Sequence, residues 1–302
     1  MNLQQLNVFV LTVQTGKLST VAELLKIKQP TATFHLKGLQ EKLGVELFEQ
    51  PQLKRWILTD AGEAFYHYAH QIIQLSEQAE QVMNDYKNNK RGKLQLGASQ
   101  TTASYILPPY LAQFQKEHNR MYISLVVHKA PTILEEVKNY KLDLGVIAYG
   151  KLYDPELTII PIMEDELVLI MHKDHPLRIK TNIKPFELSQ YAFILHEKQA
   201  VSHTLAEKWM LENGIRLNII MEIGSIQTIK EAVELNIGVA ILPKLSVEKE
   251  IKEGRFFSQP LPNYVNERYI YLIYRKNQHF SPMMQDFLKF LKESFPEVVP
   301  GQ

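Results

Sequence analysis

Five residues between positions 29 and 37 carry side chains suited to the edges of nucleic-acid bases: Gln29, Thr31, Thr33, Phe34 and Lys37. An amide, two hydroxyls, an aromatic ring and a cation can hydrogen-bond base edges, touch a thymine methyl or reach a phosphate in a major groove. They share one face only if the segment is a helix, and the residues between them predict that. Ala32, Leu36, Leu39 and Leu43 recur at i, i+4, i+7 and i+11, a single apolar stripe. Gln29-Pro30 opens the helix, where a proline's missing N–H has no partner to lose. Just upstream, Val21, Leu24 and Leu25 stand at i, i+3 and i+4 beside the small Ala22, and Lys26-Ile27-Lys28 makes a tight break. Two short helices joined this way read as a helix-turn-helix. The same spacing also fits a piece of helical core, so the surrounding segments must discriminate.

A second group of residues could hold a small anion. Ser99-Gln100-Thr101-Thr102 follows a strand-like run and precedes a helix, so hydroxyls and unpaired helix N–H groups converge there. Ser225 and Ile226, within Gly224-Ser225-Ile226-Gln227, repeat the arrangement further on. These hydroxyls serve equally well as helix caps, and the sequence leaves both roles open.

The elements that position these groups follow from periodicity. A helix over about 3–15 carries Leu6, Phe9, Val10 and Val13 on one side and ends at Gly16. After the helix-turn-helix, residues 49–58 have strand-like ends around Pro51, Lys54 and Arg55. That is the pattern of a wing whose basic tip lies on a phosphate or in a minor groove, with a solvated loop as the alternative. Thr59 can cap a helix running to about residue 88. Its apolar residues keep a strict seven: Phe65, Ile72, Ala79 and Tyr86 at one position, Tyr68, Leu75 and Val82 three further on. This a/d seam predicts pairing with a second copy, the alternative being a long helix packed on its own domain. His67 and His70 stand there with no third ligand nearby, and read as surface or seam packing rather than a metal site.

Residues 88–92, Asn-Asn-Lys-Arg-Gly, form a polar hinge. Beyond it, strand-like runs at 93–98, 122–127 and 142–148 alternate with helices at 105–117 and 132–140, predicting a parallel sheet covered by helices. Two strand-like runs at 158–162 and 166–172 follow. A second alternating set covers 193–242, and a strand at 268–275 and a helix at 283–293 close the chain. Two α/β lobes with a cleft between them account for this repetition.

Composition excludes several classes. At 302 residues, 45% hydrophobic and 22% charged, the chain is an ordinary globular protein long enough for two or more domains. It has no cysteine, so disulfides, thiolate metal sites and cysteine nucleophiles are absent. Its ten histidines are scattered; Asp143 and Asp165 each stand alone; no catalytic constellation, metal cluster or cofactor motif is visible. No apolar stretch is long enough to span a bilayer and no signal-peptide pattern is present, so the expectation is a cytoplasmic protein. The net charge is +1, and residues 1–60 hold seven Lys/Arg against five Asp/Glu. A head with so small a surplus needs a second head beside it for useful affinity.

The strings LNVFV, VAELLKIKQPTATFHLKGLQEKLGVELFE and LTDAG, in that order and spacing, resemble the N-terminal segment of the LysR-type transcriptional regulators. ASQTTASYILPPYLAQF, LDLGVIA and VELNIGVAILP sit where that family has similar strings, so the resemblance covers nearly the whole chain. It implies an α/β protein with a winged helix-turn-helix over 1–59, a coiled-coil linker helix over 60–90 and an effector-binding domain over 91–302. That domain would have a two-lobed periplasmic-binding-protein-like (type 2) fold, with lobe I at 91–163 and 268–302 and lobe II at 164–267. The implied partners are double-stranded promoter DNA, a small anionic or carboxylate-bearing effector, a second copy forming a dimer that assembles to a tetramer, and RNA polymerase. Gln29, Pro30, Thr33 and Phe34 occupy the family's DNA-facing positions, with Lys37 one turn on. Lys28 replaces a usual capping serine, Gln50 replaces a usual arginine at the wing, and residues 200–204 depart from the family's Ser-Gly-Thr-Arg run. The last departure, which puts Ser202 and His203 in that run, disfavours a small inorganic anion and points to a larger or weakly polar ligand near His203. An enzyme or a solute-binding protein on the same two lobes, and a regulator without an effector, are the alternatives.

Overall fold

The computed structural model describes residues 1–49, 56–87, 93–118 and 121–295, apart from the side chains at 81, 85 and 86. The expected wing tip with Lys54 and Arg55, the hinge at 88–92 and the side chain of Tyr86 therefore lie outside the described residues. The contacts divide the chain into two compact units, 1–87 with 139–141 and the rest.

In the first unit, α1 (Leu3–Thr15) opens with a capping box in which Asn2 Oδ1 accepts from the Gln5 N–H and Gln5 Oε1 from the Asn2 N–H, and Gly16 closes it at φ 68°. α2 (Leu18–Leu24) and α3 (Gln29–Leu43) follow. Leu6, Phe9, Val21, Ala32, Leu36 and Leu39 meet in one core. Leu24, expected on the apolar face of α2, is 59% exposed, because Leu18 and Val21 already turn that short helix onto α1 and α3. Phe48 bridges Leu58 in antiparallel fashion and the Glu49 N–H donates to the Ile57 carbonyl, so residues 48–49 pair with 57–58. α4 (Asp60–Lys87) is capped by Thr59, whose Oγ1 accepts from the Gly62 N–H. α4 has two apolar faces. Phe65, Tyr66, Ala69 and Ile73 pack on the first core, with the Phe65 and Phe9 rings 5.4 Å apart. Tyr68, Ile72, Leu75 and Met83 are exposed along the other side.

The second unit begins with β1 (Lys93–Ala98), a π-turn over Thr102–Ile106, α5 (Leu107–Glu117), β2 (Tyr122–Val127), α6 (Ala130–Lys138), β3 (Leu144–Tyr149) and β4 (Leu157–Glu164). Then come β5 (Leu167–His172), β6 (Ala192–His196), α7 (Val201–Glu212), β7 (Asn218–Ile223), α8 (Ile226–Glu234) and β8 (Val239–Pro243). α9 (Glu248–Lys252), β9 (Phe256–Pro260), β10 (Tyr269–Arg275) and α10 (Pro282–Ser294) complete the described chain. The strands form two five-stranded sheets, ordered β2-β1-β3-β10-β4 and β7-β6-β8-β5-β9. The chain passes from one to the other between β4 and β5 and comes back between β9 and β10.

The three strands expected to lie parallel in the first sheet do so, but neither sheet is wholly parallel. β1, β2 and β3 are parallel, but β10 runs antiparallel to both β3 and β4; in the second sheet β5 is antiparallel to β8 and β9. The two passages between lobes cause this: a strand that arrives from the other lobe enters from the opposite edge. Each sheet still has its βαβ connections, so the carboxyl ends of β1 and β2 and those of β6 and β7 point toward the cleft between the lobes.

Candidate functional site

Two places on this fold carry groups the packing does not use. The first is the outer face of α3. Lys28, Gln29, Pro30, Thr31, Thr33, Phe34 and Lys37 are all exposed, whereas Ala32, Leu36 and Leu39 hold the helix to its core. Phe34 is 73% exposed, a large apolar ring with no core to fill. The Thr33 hydroxyl donates back to the Gln29 carbonyl at 3.1 Å, leaving its lone pairs outward. Lys28 is the N-cap and supplies no side-chain acceptor, so the start of α3 is left open to an external anion.

The second is a cavity of about 310 Å³ in the cleft. From the first lobe it is walled by Ser99, Gln100 and Thr101 after β1, by His128 and Lys129 after β2, and by Arg268 before β10. From the second lobe come His196, Glu197 and Gln199 after β6, Ala200 to Ser202 at the start of α7, and Gly224 after β7. Two helical N-termini thus face one space. The first of these helices starts at Gln100, where the Ser99 side chain is engaged by Thr102 and Ala148 rather than by the first N–H groups. Ala200 gives α7 no side-chain cap, so backbone N–H groups are available from both sides.

The hydroxyls behind this wall are already engaged. Thr102 is fully buried, and its hydroxyl donates to the Val146 carbonyl at 2.6 Å. Ser99 Oγ lies 3.1 Å from Thr102 Oγ1 and accepts from the Ala148 N–H at 3.0 Å. With the Thr102 proton on Val146, the Ser99 proton goes to Thr102, so Ser99 faces the cavity mainly as an acceptor. Arg268, 3% exposed, donates through Nε to Asp165 Oδ2 at 2.8 Å and through Nη2 to Thr101 Oγ1 at 3.2 Å. Burial pushes the Asp165 carboxyl up from the ordinary carboxylate range, against the pull of Arg268. His196 Nδ1 lies 2.9 Å from Ser202 Oγ, and burial lowers its pKa, so the ring is neutral at neutral pH. Lys129 reaches across the cleft to Glu197 Oε1 at 2.8 Å and Gln199 Oε1 at 2.7 Å, and it holds the Glu197 carboxyl below its usual range.

The two faces can therefore do two things: contact a nucleic-acid groove and enclose a small polar ligand. Residues 3–63 match the family model of bacterial regulatory helix-turn-helix proteins of the lysR family, and residues 87–296 match the LysR substrate binding domain. The chain belongs to the LysR family. It is a DNA-binding transcriptional regulator with an effector-binding domain. A probable RuBisCO transcriptional regulator of Cyanophora paradoxa is 30% identical over 98% of this chain and 94% of its own length. A full-length OxyR variant from Pseudomonas aeruginosa shares the fold at a TM-score of 0.69 and 21% identity, over 97% of this chain and 94% of that one. The regulatory domain of Synechocystis PCC6803 CcmR, solved in complex with 2-PG, superposes at a TM-score of 0.61 and 24% identity over 67% of this chain and 97% of its own.

Within this LysR regulator the residues singled out from sequence fall into two groups. Ser99, Gln100, Thr101 and Ser202 stand in the cavity wall. Thr102 sits behind it; His203 is 2% exposed and turned toward Glu207 and Glu222; Ser225 caps α8; Ile226 is buried in a hydrophobic cluster. None of those four lines the cavity. Lys129, Glu197, Gln199 and Arg268 do, and sequence reasoning passes over them. A signal is present, since each lies just outside a strand end on the cleft side. Among the described residues no helix is long and apolar enough to cross a membrane, and no group of three metal-ligating side chains converges.

Proposed function

We propose that this regulator binds promoter DNA as a dimer of heads and that an anionic or carboxylate-bearing molecule in the cleft alters that binding. The observation that carries the reading is the division of α3 into a fully buried stripe and a fully exposed polar face. Gln29, Pro30, Thr31, Thr33 and Phe34 would lie against base edges, and Lys28, Lys37, Lys54 and Arg55 against phosphates. The division of labour is a head over 1–59, a linker helix over 60–90 and an effector domain over 91–302, its lobes spanning 91–163 with 268–302 and 164–267.

Heads joined through the seam of α4 at Tyr68, Ile72, Leu75, Ala79 and Val82, with Tyr86 at its far end and Phe65, expected in the seam, turned instead into the core of its own unit, would read two half-sites one or more helical turns apart. Two dimers make a tetramer, and a ligand that shifts the lobes changes the angle between heads, hence DNA bending or contact with RNA polymerase. Such a protein works in the cytoplasm, beside its DNA. Ligand occupancy is supported by the cavity's paired helix N-termini, and the same fold in Synechocystis holds 2-PG. The CcmR comparison speaks for the fold; the anionic preference rests on the wall residues of this chain.

The test is a footprint on the DNA upstream of the protein's own gene and its divergent neighbour, at two salt concentrations, with Gln29→Ala beside the wild type. The expected result is a protected tract that weakens with salt and is lost in Gln29→Ala. Protection that survives Gln29→Ala unchanged would remove α3 from the interface. A fully folded preparation that protects no neighbouring promoter would shift the activity to the cleft alone.

A further inference from the structure

Among the described residues, four charged groups stand in or directly behind the cavity wall, and they form two ion pairs of different character. Arg268 and Asp165 are 3% and 0% exposed, and both belong to the segments that pass between the lobes. Asp165 also accepts from the Leu245 N–H at 3.4 Å and is wholly buried. That pair is fixed. Lys129 and Glu197 are 39% and 41% exposed at a separation of 2.8 Å. An exposed pair of this kind shifts an equilibrium by no more than about five-fold. Lys129 follows β2 of the first sheet, and Glu197 and Gln199 follow β6 of the second, so this weak pair is a bond between the lobes.

The cavity thus has two anion-receptive ends, and one of them is occupied by the protein's own carboxylate. At the inner end, the uncapped N–H groups near Thr101 and Val201 and the guanidinium of Arg268 can receive an acidic group directly. At the outer end Lys129 is bound to Glu197. Gly224 lies alongside, where a Cβ would come within 3.3 to 3.4 Å of the Glu197 carboxyl group, so the glycine leaves this carboxylate its place over the cleft. Glu197 can swing into water at little cost, since almost half of it is already there. An acidic group held inside the cavity meets Lys129 in a lower dielectric than Glu197 does, and the helix N–H groups and Arg268 at the other end of the same molecule offset the cost of taking it out of water.

We propose that Glu197 is a resident counter-anion for Lys129, and that the cavity selects compact organic dianions whose second acidic group displaces it. One acidic group sits on the helix N-termini and Arg268, the other on Lys129. The cavity volume of about 310 Å³ is at the lower end for ligand sites, which keeps the molecule small. A monoanion leaves the Lys129–Glu197 bond intact; a dianion opens it and takes over its role of joining the lobes. The lobe-joining contact thereby passes from protein to ligand, and the state of the cleft comes to depend on occupancy. This rests on the effector-binding reading of the cavity given above.

The experiment measures binding to the full-length protein by calorimetry and thermal shift, with succinate, glutarate and phosphonoacetate as two-ended probes and butyrate as the one-ended control. Wild type is expected to bind at least one two-ended probe ten-fold or more tightly than butyrate. Lys129→Met should bring that probe down to the butyrate level. Glu197→Gln, which keeps the shape and removes the competitor, should tighten the two-ended probe by up to about five-fold. Thermal unfolding of each unliganded variant establishes that it is folded. Butyrate binding as tightly as the dianions, Glu197→Gln weakening the dianion, or no probe binding at millimolar concentration would each overturn the inference. Promoter DNA binding, measured on the same preparation, separates this failure from failure of the regulator reading. A preparation that binds its promoter but no probe sinks only the dianion selectivity.

Discussion

Gly62, in the first turns of α4, passes so close to Leu47 that a Cβ on the glycine would lie 2.0 Å from the Leu47 carbonyl oxygen. The Leu58 side chain closes the same space at 2.9 Å. The contact locks the start of α4 onto residues 46–48, and Thr59 reinforces it by donating its hydroxyl to the Glu46 carbonyl. Backbone cannot move aside as a flexible side chain can. Gly62→Ala is therefore expected to destabilise the N-terminal unit by about 3 kcal/mol, the upper part of the range for overpacking. Urea unfolding of the full-length protein in a Trp209→Phe background, so that Trp56 alone fluoresces, measures it against the same background with Gly62; an unchanged midpoint would show that the Leu47 segment yields freely.

This contact also separates what is legible in the sequence from what is not. The string LTDAG identifies the junction by resemblance, but the need for glycine comes only with the Leu47 carbonyl in place. α3 and α4 are readable because their apolar residues keep one period over about three turns or more. Leu24 is not, since a seven-residue helix offers too few turns to fix its phase. β9 escapes a reading by pattern because Phe-Phe-Ser-Gln-Pro lacks alternation and ends in a strand-breaking residue. In the cleft, Ser99 and Thr101 stand out for their chemistry and their place after a strand. Thr102 has the same chemistry but turns inward, as does the imidazole of His203, a matter of helical phase that no residue type reveals. Arg268 looks like the first residue of a strand, and its partner Asp165 lies 103 positions away.

Acid should weaken this fold through three histidines. Burial lowers the pKa of His70, His175 and His196 from 6.5. Below pH 6.5 the unfolded chain takes up protons that the folded one refuses, so the stability these residues confer is present above 6.5 and is lost as pH falls through and below it. For His196, 8% exposed, the slope is at most about 1.4 kcal/mol per pH unit. Thermal melts across this window should show a falling midpoint, with a shallower fall in His196→Gln. Equal slopes in the two proteins would mean that His196 titrates normally in the folded state.

The two faces of α4 predict that association can be removed without loss of fold. Phe65, Ala69 and Ile73 serve the core of the first unit, whereas Leu75, 52% exposed, and Ile72 join no core cluster among the described residues. Leu75→Asp places a charge in the proposed seam and none in the core. Sedimentation velocity should show a smaller species with far-UV circular dichroism retained. Affinity for DNA with two half-sites should drop about 10²-fold, because linkage of the heads is lost. A Leu75→Asp protein that sediments as the wild type would move the interface elsewhere.

Lys37 and Phe34 share the exposed face of α3 and should fail differently when truncated. Lys37 stands one turn beyond the residues proposed to meet bases, with its charge exposed to solvent. If it neutralises one phosphate per head, Lys37→Ala weakens binding to all sequences alike. It also reduces the slope of log affinity against log salt by about 0.9 per head. Phe34 has no charge and 73% of its surface exposed, so its contribution in the groove is apolar contact, as with a thymine methyl. Phe34→Ala should leave the salt slope as it is and lose affinity only where the operator has the contacted base. Titrations of both variants against a panel of single-base operator changes, at several salt concentrations, read the two effects separately. A change in salt slope for Phe34→Ala, or base-selective loss for Lys37→Ala, would mean that α3 lies in the groove in another orientation.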